Sequence, residues 1–502
     1  MMLWLYFALA SYMVLGPSSI LATECGETGR GIVFDAGSSH TSMFIYHWPD
    51  NKTERMGRVE EIGDCDAKGG GISDYLGTPQ LAGDSLQECL QEAIDLIEEE
   101  DHKYTPLYLG STAGMRLVEE TNPVESASIF DSVKETLAAT PFNFSNPDRQ
   151  ARIISGENEG IFGWITANYI SNRFNVGPSM WEQMVSMVTG MEPTPKPTYG
   201  AIDLGGASTQ LTFVPEDKDA LPEEYKLHKR LYGTDYYLYS NSFLCYGVNE
   251  ARRRFRALLL KNAGYSTQGV NNPCLHPGQE EVFDGNYLWK APCSQGPHAM
   301  AGWGSEVKPP DTMTDISYDT EFVFNGTSNP VECAATVELL FNTSVPCKYP
   351  PCSFNGIHQP KPHGNFLAFS ALYWVVDALL GTSTPSIGDL ETAKNEFCRK
   401  TLQEVQIMPG YDEYYLGYCF NIHYIWSLLI ERYGFDESNW NIEFVRKVNG
   451  VSVGWTMGYM IDATSRIPSE VECGNSAVTN SLFQYQAVIF LSIYACMHVL
   501  IS

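Results

Sequence analysis

Two aspartates far apart in the chain, Asp35 and Asp203, each end an apolar run and open a glycine-containing turn. The first segment reads Ile32-Val-Phe-Asp-Ala-Gly-Ser-Ser-His-Thr-Ser-Met-Phe and the second Ala201-Ile-Asp-Leu-Gly-Gly-Ala-Ser-Thr-Gln-Leu-Thr-Phe. Aligned on the aspartates, Gly37 matches Gly205 and Thr41 matches Thr209. A carboxylate is a hard oxygen ligand that suits Mg²⁺ or Ca²⁺, directly or through water. Successive backbone N–H groups in a tight turn make a concave nest for phosphate oxygens, and glycine, lacking a Cβ, lets the chain approach a ligand closely. The first turn offers Gly37, Ser38, Ser39, His40 and Thr41; the second offers Gly205, Gly206, Ala207, Ser208 and Thr209. One such loop is an ordinary hairpin. Two, with the carboxylate at the same offset, predict a polyphosphate gripped from both sides with a cation between.

Hydrolysis of a phosphate also needs a base. The stretch Ile154-Ser-Gly-Glu-Asn-Glu-Gly places Glu157 and Glu159 in a glycine-bounded turn that starts a helix. A carboxylate there can take the proton of a water attacking phosphorus; taken alone, acids at a helix N-terminus simply complement its dipole. A further loop, Leu109-Gly-Ser-Thr-Ala-Gly-Met-Arg, offers the Thr112 hydroxyl and the Ala113 N–H to phosphate or water.

The elements that must position these groups alternate. Apolar runs predict strands at 31–35, 41–47, 107–109, 199–203 and 210–214, and helices at 86–99, 160–170 and 249–260. The last helix carries Arg252, Arg253, Arg254 and Arg256, expected on its solvated face. Residues 192–198 form a proline-rich loop. The mixture is α/β, and the internal repeat implies two lobes of similar topology.

Bulk properties set the context. Of 502 residues, 44% are hydrophobic and 18% charged, which excludes global disorder. A formal charge of −28 argues against a nucleic-acid partner and makes an anionic substrate depend on a local cradle or a metal. An apolar run at 3–16, followed by Pro17, Ser18 and Ser19, reads as a signal peptide or N-terminal anchor over 1–24. With 13 cysteines and Asn-X-Ser/Thr sequons at Asn51, Asn143, Asn325 and Asn342, it points to the secretory route. Residues 482–501 are apolar, fitting a transmembrane helix or a GPI-attachment signal.

With a fifth block, Asn365-Phe-Leu-Ala-Phe-Ser-Ala-Leu-Tyr-Trp, in order after the other four, the chain resembles the ecto-nucleoside triphosphate diphosphohydrolases, or ecto-apyrases. The likeness runs from about 31 to 467, and Ser242-Phe-Leu-Cys-Tyr-Gly and Gly454-Trp-Thr-Met-Gly-Tyr-Met make it nearest the cell-surface branch. The resemblance implies an actin/Hsp70/hexokinase-like fold, with RNase H-like lobes at 28–157 plus 447–473 and at 158–446. It implies hydrolysis of extracellular ATP, ADP, UTP and UDP to monophosphates, the chemistry of purinergic signalling, by an enzyme on membrane lipid with its catalytic part outside. Glu159 matches the general base, Ser208 the holder of the attacking water, and Asp35 and Asp203 the anchors of a hydrated Ca²⁺ or Mg²⁺. Asn158 stands where some relatives carry an acid. Tyr373 or Trp374 matches the aromatic that stacks on the base, but residues 411–418 carry no Lys or Arg to serve as its usual basic partner. The resemblance pairs Cys65–Cys89, Cys245–Cys293, Cys274–Cys333, Cys347–Cys352 and Cys398–Cys419. It sets Cys25 and Cys473 near one surface, where they could close a sixth disulfide, and leaves Cys496 in the apolar tail. Oligomeric state is left open, including a homo-oligomer. The rival readings are an acceptor-dependent phosphotransferase of the same fold and a catalytically silent surface receptor.

Overall fold

The computed structural model describes residues 28–49, 52, 55–176, 196–295, 307–310, 313 and 315–467. Its first strand, β1 (Thr28–Ala36), runs straight through a core, and Ile32, Val33 and Phe34 are wholly buried. A strand covered on both faces reads as a continuous apolar run rather than an alternation. β1 pairs antiparallel with β2 (Thr41–Pro49). The edge strand β3 (Glu60–Asp66) alternates exposed and half-buried residues. β4 (Leu107–Ser111) lies parallel to β1, and β5 (Ala151–Ile153) completes a sheet of order β3-β2-β1-β4-β5. Helices α1 (Gln87–Leu96), α2 (Ala113–Thr121) and α3 (Pro123–Ala138) belong to this half, and the Cys65–Cys89 disulfide staples β3 to α1.

α4 (Gly156–Ile170) begins where the Ser155 hydroxyl accepts the Asn158 N–H. Ile161, Phe162, Trp164, Ile165 and Ala167 are all buried, so the helix has almost no wet face, the mark of a helix enclosed by neighbours. It packs on the second sheet, which contains β6 (Gly200–Leu204), β7 (Ser208–Phe213), β8 (Leu227–Leu231) and β9 (Thr234–Leu244). After β9 comes α5 (Val248–Asn262), then a small sheet of β10 (Val270–Asn272), β11 (Glu280–Asp284) and β12 (Glu321–Gly326), then α6 (Pro330–Glu338). β13 (Phe366–Ser370) and β14 (Ile442–Phe444) return to the main sheet, whose order is β14-β13-β6-β7-β9-β8. Between them lie α7 (Ala371–Leu380), α8 (Ile387–Phe397) and α9 (Tyr418–Trp426). Matching β6, β7, β9, β13 and β14 to β1, β2, β3, β4 and β5 gives one strand order for both sheets, with β8 added at an edge. The repeated loops therefore belong to repeated sheets, as a two-lobed actin-like fold requires.

Four more disulfides, Cys245–Cys293, Cys274–Cys333, Cys347–Cys352 and Cys398–Cys419, all lie beyond β9, and the five have Cα separations of 4.9 to 5.9 Å. These are the pairs implied by the resemblance.

The arginines of α5 are not on a solvated face. Arg254 is fully buried and donates to the Cys245 and Leu340 carbonyls at 3.0 and 3.4 Å. Arg256 makes a bidentate pair with Glu281, both bonds 2.9 Å. Arg252 donates to Asn421 Oδ1 at 2.6 Å, and Arg253 lies over the Tyr287 ring. At 3.6 residues per turn, these positions spread over more than half the helix circumference, so no single face holds them, and the helix is packed on several sides.

After β14 the chain makes a short ribbon, Lys447–Val448 with Val451–Ser452, and ends in α10 (Thr456–Thr464), which packs on α4 and β1. Lys52 donates to the carbonyls of Thr464 and Ile467 at 3.1 and 2.7 Å, clasping this last helix to the loop after β2. Among the described residues no helix is long and apolar enough to cross a membrane. The apolar segments 1–24 and 482–501, together with Asn51, Cys25, Cys473 and Cys496, lie outside the described residues.

Candidate active site

Each aspartate ends the central strand of its sheet. Asp35 is in register with Gly110 of β4, and Asp203 with Phe369 of β13. The two strand ends face a cavity of about 210 Å³. Its walls include Asp35, Gly37, Ser38, Ser39 and His40 from one side and Asp203, Gly205, Gly206, Ala207 and Ser208 from the other. Thr112, Ala113, Glu159, Ser370 and Trp455 also reach it. Thr41, expected among the phosphate donors, is buried at the start of β2 and off the cavity wall; its carbonyl accepts the Ala67 N–H.

Each loop has a glycine roof. A Cβ on Gly71 would lie 2.3 Å from the Gly37 carbonyl oxygen, and one on Gly247 would lie 2.3 Å from the Ala207 nitrogen. The second loop is also tied by hydrogen bonds: Val248 and Asn249 N–H groups donate to the Gly205 and Gly206 carbonyls, both at 2.9 Å, and Cys245 N–H to Ala207 at 2.8 Å.

The carboxylates are held unusually. Asp35 Oδ1 and Asp203 Oδ1 are buried with no hydrogen-bond partner. Burial pushes Asp35 up to about 6, eased by the charge of His40. Burial likewise pushes Asp203 up to about 6, eased by the Ser370 hydroxyl and raised by Asp35. Orphaned oxygens on facing walls fit a divalent cation carrying its own waters, since Mg²⁺ and Ca²⁺ take oxygen ligands and keep water. Ser370 sits at φ 60°, ψ −130°, a backbone state rare for a residue with a side chain. Such strain persists only where the surroundings enforce it; here it joins β13 to α7 and turns the hydroxyl to Asp203.

Glu159 lies in the first turn of α4 and is buried. Its Oε2 accepts from Arg116 Nη2 at 2.5 Å and from Gln210 Nε2 at 3.1 Å. The Gln210 amide also lies 2.7 Å from Ser208 Oγ and 2.9 Å from Ser242 Oγ. Arg116 Nη2 is 3.1 Å from Ser208 Oγ. Burial pushes Glu159 up to about 8; Arg116 draws it down, while Asp203 and Asp35 push it further up. Glu157 is exposed and off the cavity wall. Positions two apart on a helix face nearly opposite ways, so one of these two acids had to miss the site.

Arg116, Gln210, Ser242 and Ser370 are site residues absent from the sequence-based set. Periodicity carried a signal for two of them. Arg116 is four residues past Thr112, one helical turn along, and Gln210 is two past Ser208, on the same strand face. Ser242 is opposite Gln210 across β7 and β9, a pairing invisible in one strand alone.

Tyr373 and Trp374 stand outside the cavity wall, on the first turn of α7 directly after Ser370. Their rings meet edge to face at 5.2 Å. Trp374 is half exposed, and the Arg446 guanidinium lies 4.9 Å from its ring centroid. Residues 411–418 contribute tyrosines instead, with Tyr411, Tyr415 and Tyr418 in ring contact at 5.9 and 5.1 Å. The cation beside the fifth block's aromatics thus comes from the far end of the sheet, after β14.

Comparison with known proteins agrees across the chain. The profile of the GDA1/CD39 (nucleoside phosphatase) family matches residues 23–476. Ectonucleoside triphosphate diphosphohydrolase 8 of Rattus norvegicus is 37% identical over 447 residues, covering 88% of this chain and 84% of that protein. Ectonucleoside triphosphate diphosphohydrolase 1 of Mus musculus is 39% identical over 448 residues, covering 88% and 82%. Among solved structures, a nucleoside triphosphate hydrolase from Neospora caninum superimposes with a TM-score of 0.64 at 17% identity, over 92% of this chain and 99% of that one, a likeness of fold.

Proposed function

The chain belongs to the GDA1/CD39 (nucleoside phosphatase) family, and from that premise we propose how its own residues carry the family's reaction. It is an enzyme, a nucleoside triphosphate diphosphohydrolase that hydrolyses extracellular nucleoside tri- and diphosphates. The phosphate tail lies between the loops, with the backbone N–H groups of Gly37–Ser39 and of Gly206 and Ala207 around its oxygens and the Ser38 and Ser39 hydroxyls beside them; the Gly205 N–H, expected to join them, donates instead to the Ser208 carbonyl at 3.0 Å and closes its own turn. Thr112 and the Ala113 N–H add a third side. Ser208, with Gln210 behind it, holds a water; Glu159 takes its proton as the oxygen attacks the terminal phosphorus in line. The products are inorganic phosphate and a nucleotide shorter by one phosphate, and a diphosphate re-enters for a second round.

The family uses a divalent cation. Asp35 and Asp203 would hold it here through water, as Ca²⁺ or Mg²⁺, and when bound it offsets the charge of phosphates and carboxylates together. Tyr373 or Trp374 stacks on the base. Stacking tolerates any aromatic ring, which suits a broad range including ATP, ADP, UTP and UDP. The apolar terminal segments would hold the enzyme at the cell surface. Asn325 is exposed on β12, and Asn342 Oδ1 accepts the Ser344 hydroxyl at 2.7 Å, so the hydroxyl of this sequon already faces its asparagine.

The observation that carries this reading is the convergence of Glu159, Ser208 and Gln210 beside two aspartates whose inner oxygens have no protein partner. Neither an acceptor-dependent phosphotransferase nor a silent receptor finds support in the family. The test is Glu159→Gln. Phosphate release from ATP and ADP, without added acceptor, is expected to fall about 10²- to 10⁴-fold while nucleotide binding survives. Full activity in that variant, or a severe loss in Glu157→Gln instead, would refute the assignment.

A further inference from the structure

We propose that Arg116 is the positioning residue of the base and that it acts across the cleft, so that Glu159 is complete only while the two lobes are together. The inference rests on Glu159 being the base.

Arg116 rises from α2, which continues β4 in the first sheet's half of the molecule. The atoms it reaches belong to the other half: Glu159 Oε2 on α4 at 2.5 Å, Ser208 Oγ on β7 at 3.1 Å and Ser242 Oγ on β9 at 3.5 Å. Its side chain is 13% exposed, and among the described residues it is the one cation in ion-pair contact with Glu159. The chain is bare where the guanidinium seats. A Cβ on Gly156 would lie 2.2 Å from Arg116 Nη1 and 2.4 Å from Ser242 Cβ.

The physical need is plain. A buried carboxylate facing two others holds its proton and cannot act as a base. A fixed guanidinium favours the ionised form, and its rigid fork can serve two acceptors at once. One Nη2 reaches both Glu159 and Ser208, so base and water-holder are aligned as a unit. Because the fork comes from the opposite lobe, opening the cleft withdraws it and silences the base. Arg116 is off the cavity wall, so it acts through Glu159 rather than on phosphate.

The experiment uses the full-length enzyme with ATP and saturating Ca²⁺. Arg116→Gln is expected to lower kcat about 100-fold with KM within about threefold, the size of effect that misplacing a catalytic group produces. Arg116→Lys, which keeps a cation for Glu159 but has no second nitrogen to lie against Ser242 Oγ and no planar fork to fix its direction, is expected to recover about tenfold of that loss. In the double variant Arg116→Gln/Glu159→Gln, kcat should fall only a few-fold below Glu159→Gln rather than by the product of the two losses, because aligning the water-holder with a base is worth little once the base is gone. An unchanged kcat in Arg116→Gln, a loss confined to KM, or a further tenfold fall in the double variant would each overturn the proposal. If Arg116→Gln does not fold, Arg116→Lys decides: a kcat at least about fivefold below wild type at unchanged KM supports the proposal, and a wild-type kcat overturns it. Retained activity in Glu159→Gln would instead show that the base is elsewhere, and the proposal would go with it.

Discussion

The two phosphate loops share a strand order, an aspartate and a glycine roof, yet they are built to different tolerances. The first loop lies half open. Ser39 and His40 are exposed, and its roof comes from the turn at Gly71. The second is enclosed. Ala207 and Ser208 are buried, and three backbone hydrogen bonds from Cys245, Val248 and Asn249 lock it to the start of α5. The disulfides follow the same division, with one beside the first sheet and four beyond β9. A duplicated fold has kept the carboxylate in both copies while making one loop a rigid reference and the other an adjustable partner.

The largest expected effect tests what the loops share. Asp35→Asn and Asp203→Asn keep the shape and remove the charge. If a cation lies between them, each is expected to lower phosphate release about 10²- to 10³-fold, the range of a lost metal contribution of several kcal/mol. Measured side by side at saturating cation, a difference of more than about tenfold between them would break the equivalence of the two aspartates.

Next come the roofs, which should separate the loops. Gly71 and Gly247 have φ of −67° and −71°, which any residue adopts, so the constraint at both is space. Gly247→Ala drives a methyl group into backbone that cannot move, and it is expected to cost about 3 kcal/mol of stability, at the upper end for overpacking. Gly71→Ala meets a loop free to shift; it is expected to cost about 1 kcal/mol and to appear mainly as a raised KM. Thermal unfolding and steady-state kinetics on both variants check this. Equal loss of stability would mean that the first loop is as rigid as the second.

The smallest effect concerns pH. The Asp35 and Asp203 carboxyls are raised from 3.8 to about 6, and Glu159 from 4.5 to about 8. Protonation therefore favours the folded state. Without cation their contribution to stability is present below about pH 4 and is lost as pH rises through about 6 to 8. A cation binds the ionised forms and reverses that loss. At about 10 to 30 times its dissociation constant it is expected to add about 1–2 kcal/mol at pH 8 and almost nothing at pH 5. Differential scanning calorimetry with Ca²⁺ against EDTA measures the difference, and an equal gain at both pH values would place the cation away from these carboxylates.

The chemistry that sits within one turn was legible in the sequence. A carboxylate at a strand end followed by a glycine turn is a local pattern, and its recurrence announced both loops and the doubled sheet. The choice of Glu159 over Glu157 came from family likeness, and the structure supplies the reason in the opposite facing of the two side chains. What could not be read was what other strands bring. Ser242 reaches Gln210 by cross-strand register, Arg446 reaches Trp374 from beyond β14, and Ser370 gains its meaning from a strained backbone. The arginines of α5 misled because a charged helix is usually wet, whereas carbonyl oxygens, Glu281 and aromatic rings receive them here. Thr41 misled because it matches Thr209 in sequence. Both threonines are buried, and Thr209 turns its hydroxyl to the Asp203 carbonyl at 2.7 Å, inside its own loop.

The Lys52 clasp has a mechanical meaning. It binds the last described helix beside the strand that opens the chain, so both described ends lie close together, next to the sheet that carries Asp35. A vise bolted to a bench has one fixed jaw and one that travels. A tether on either end of this chain would bolt down the jaw that carries Asp35, and its hold would reach the sheet that carries Asp203 through α4, on which the last helix packs.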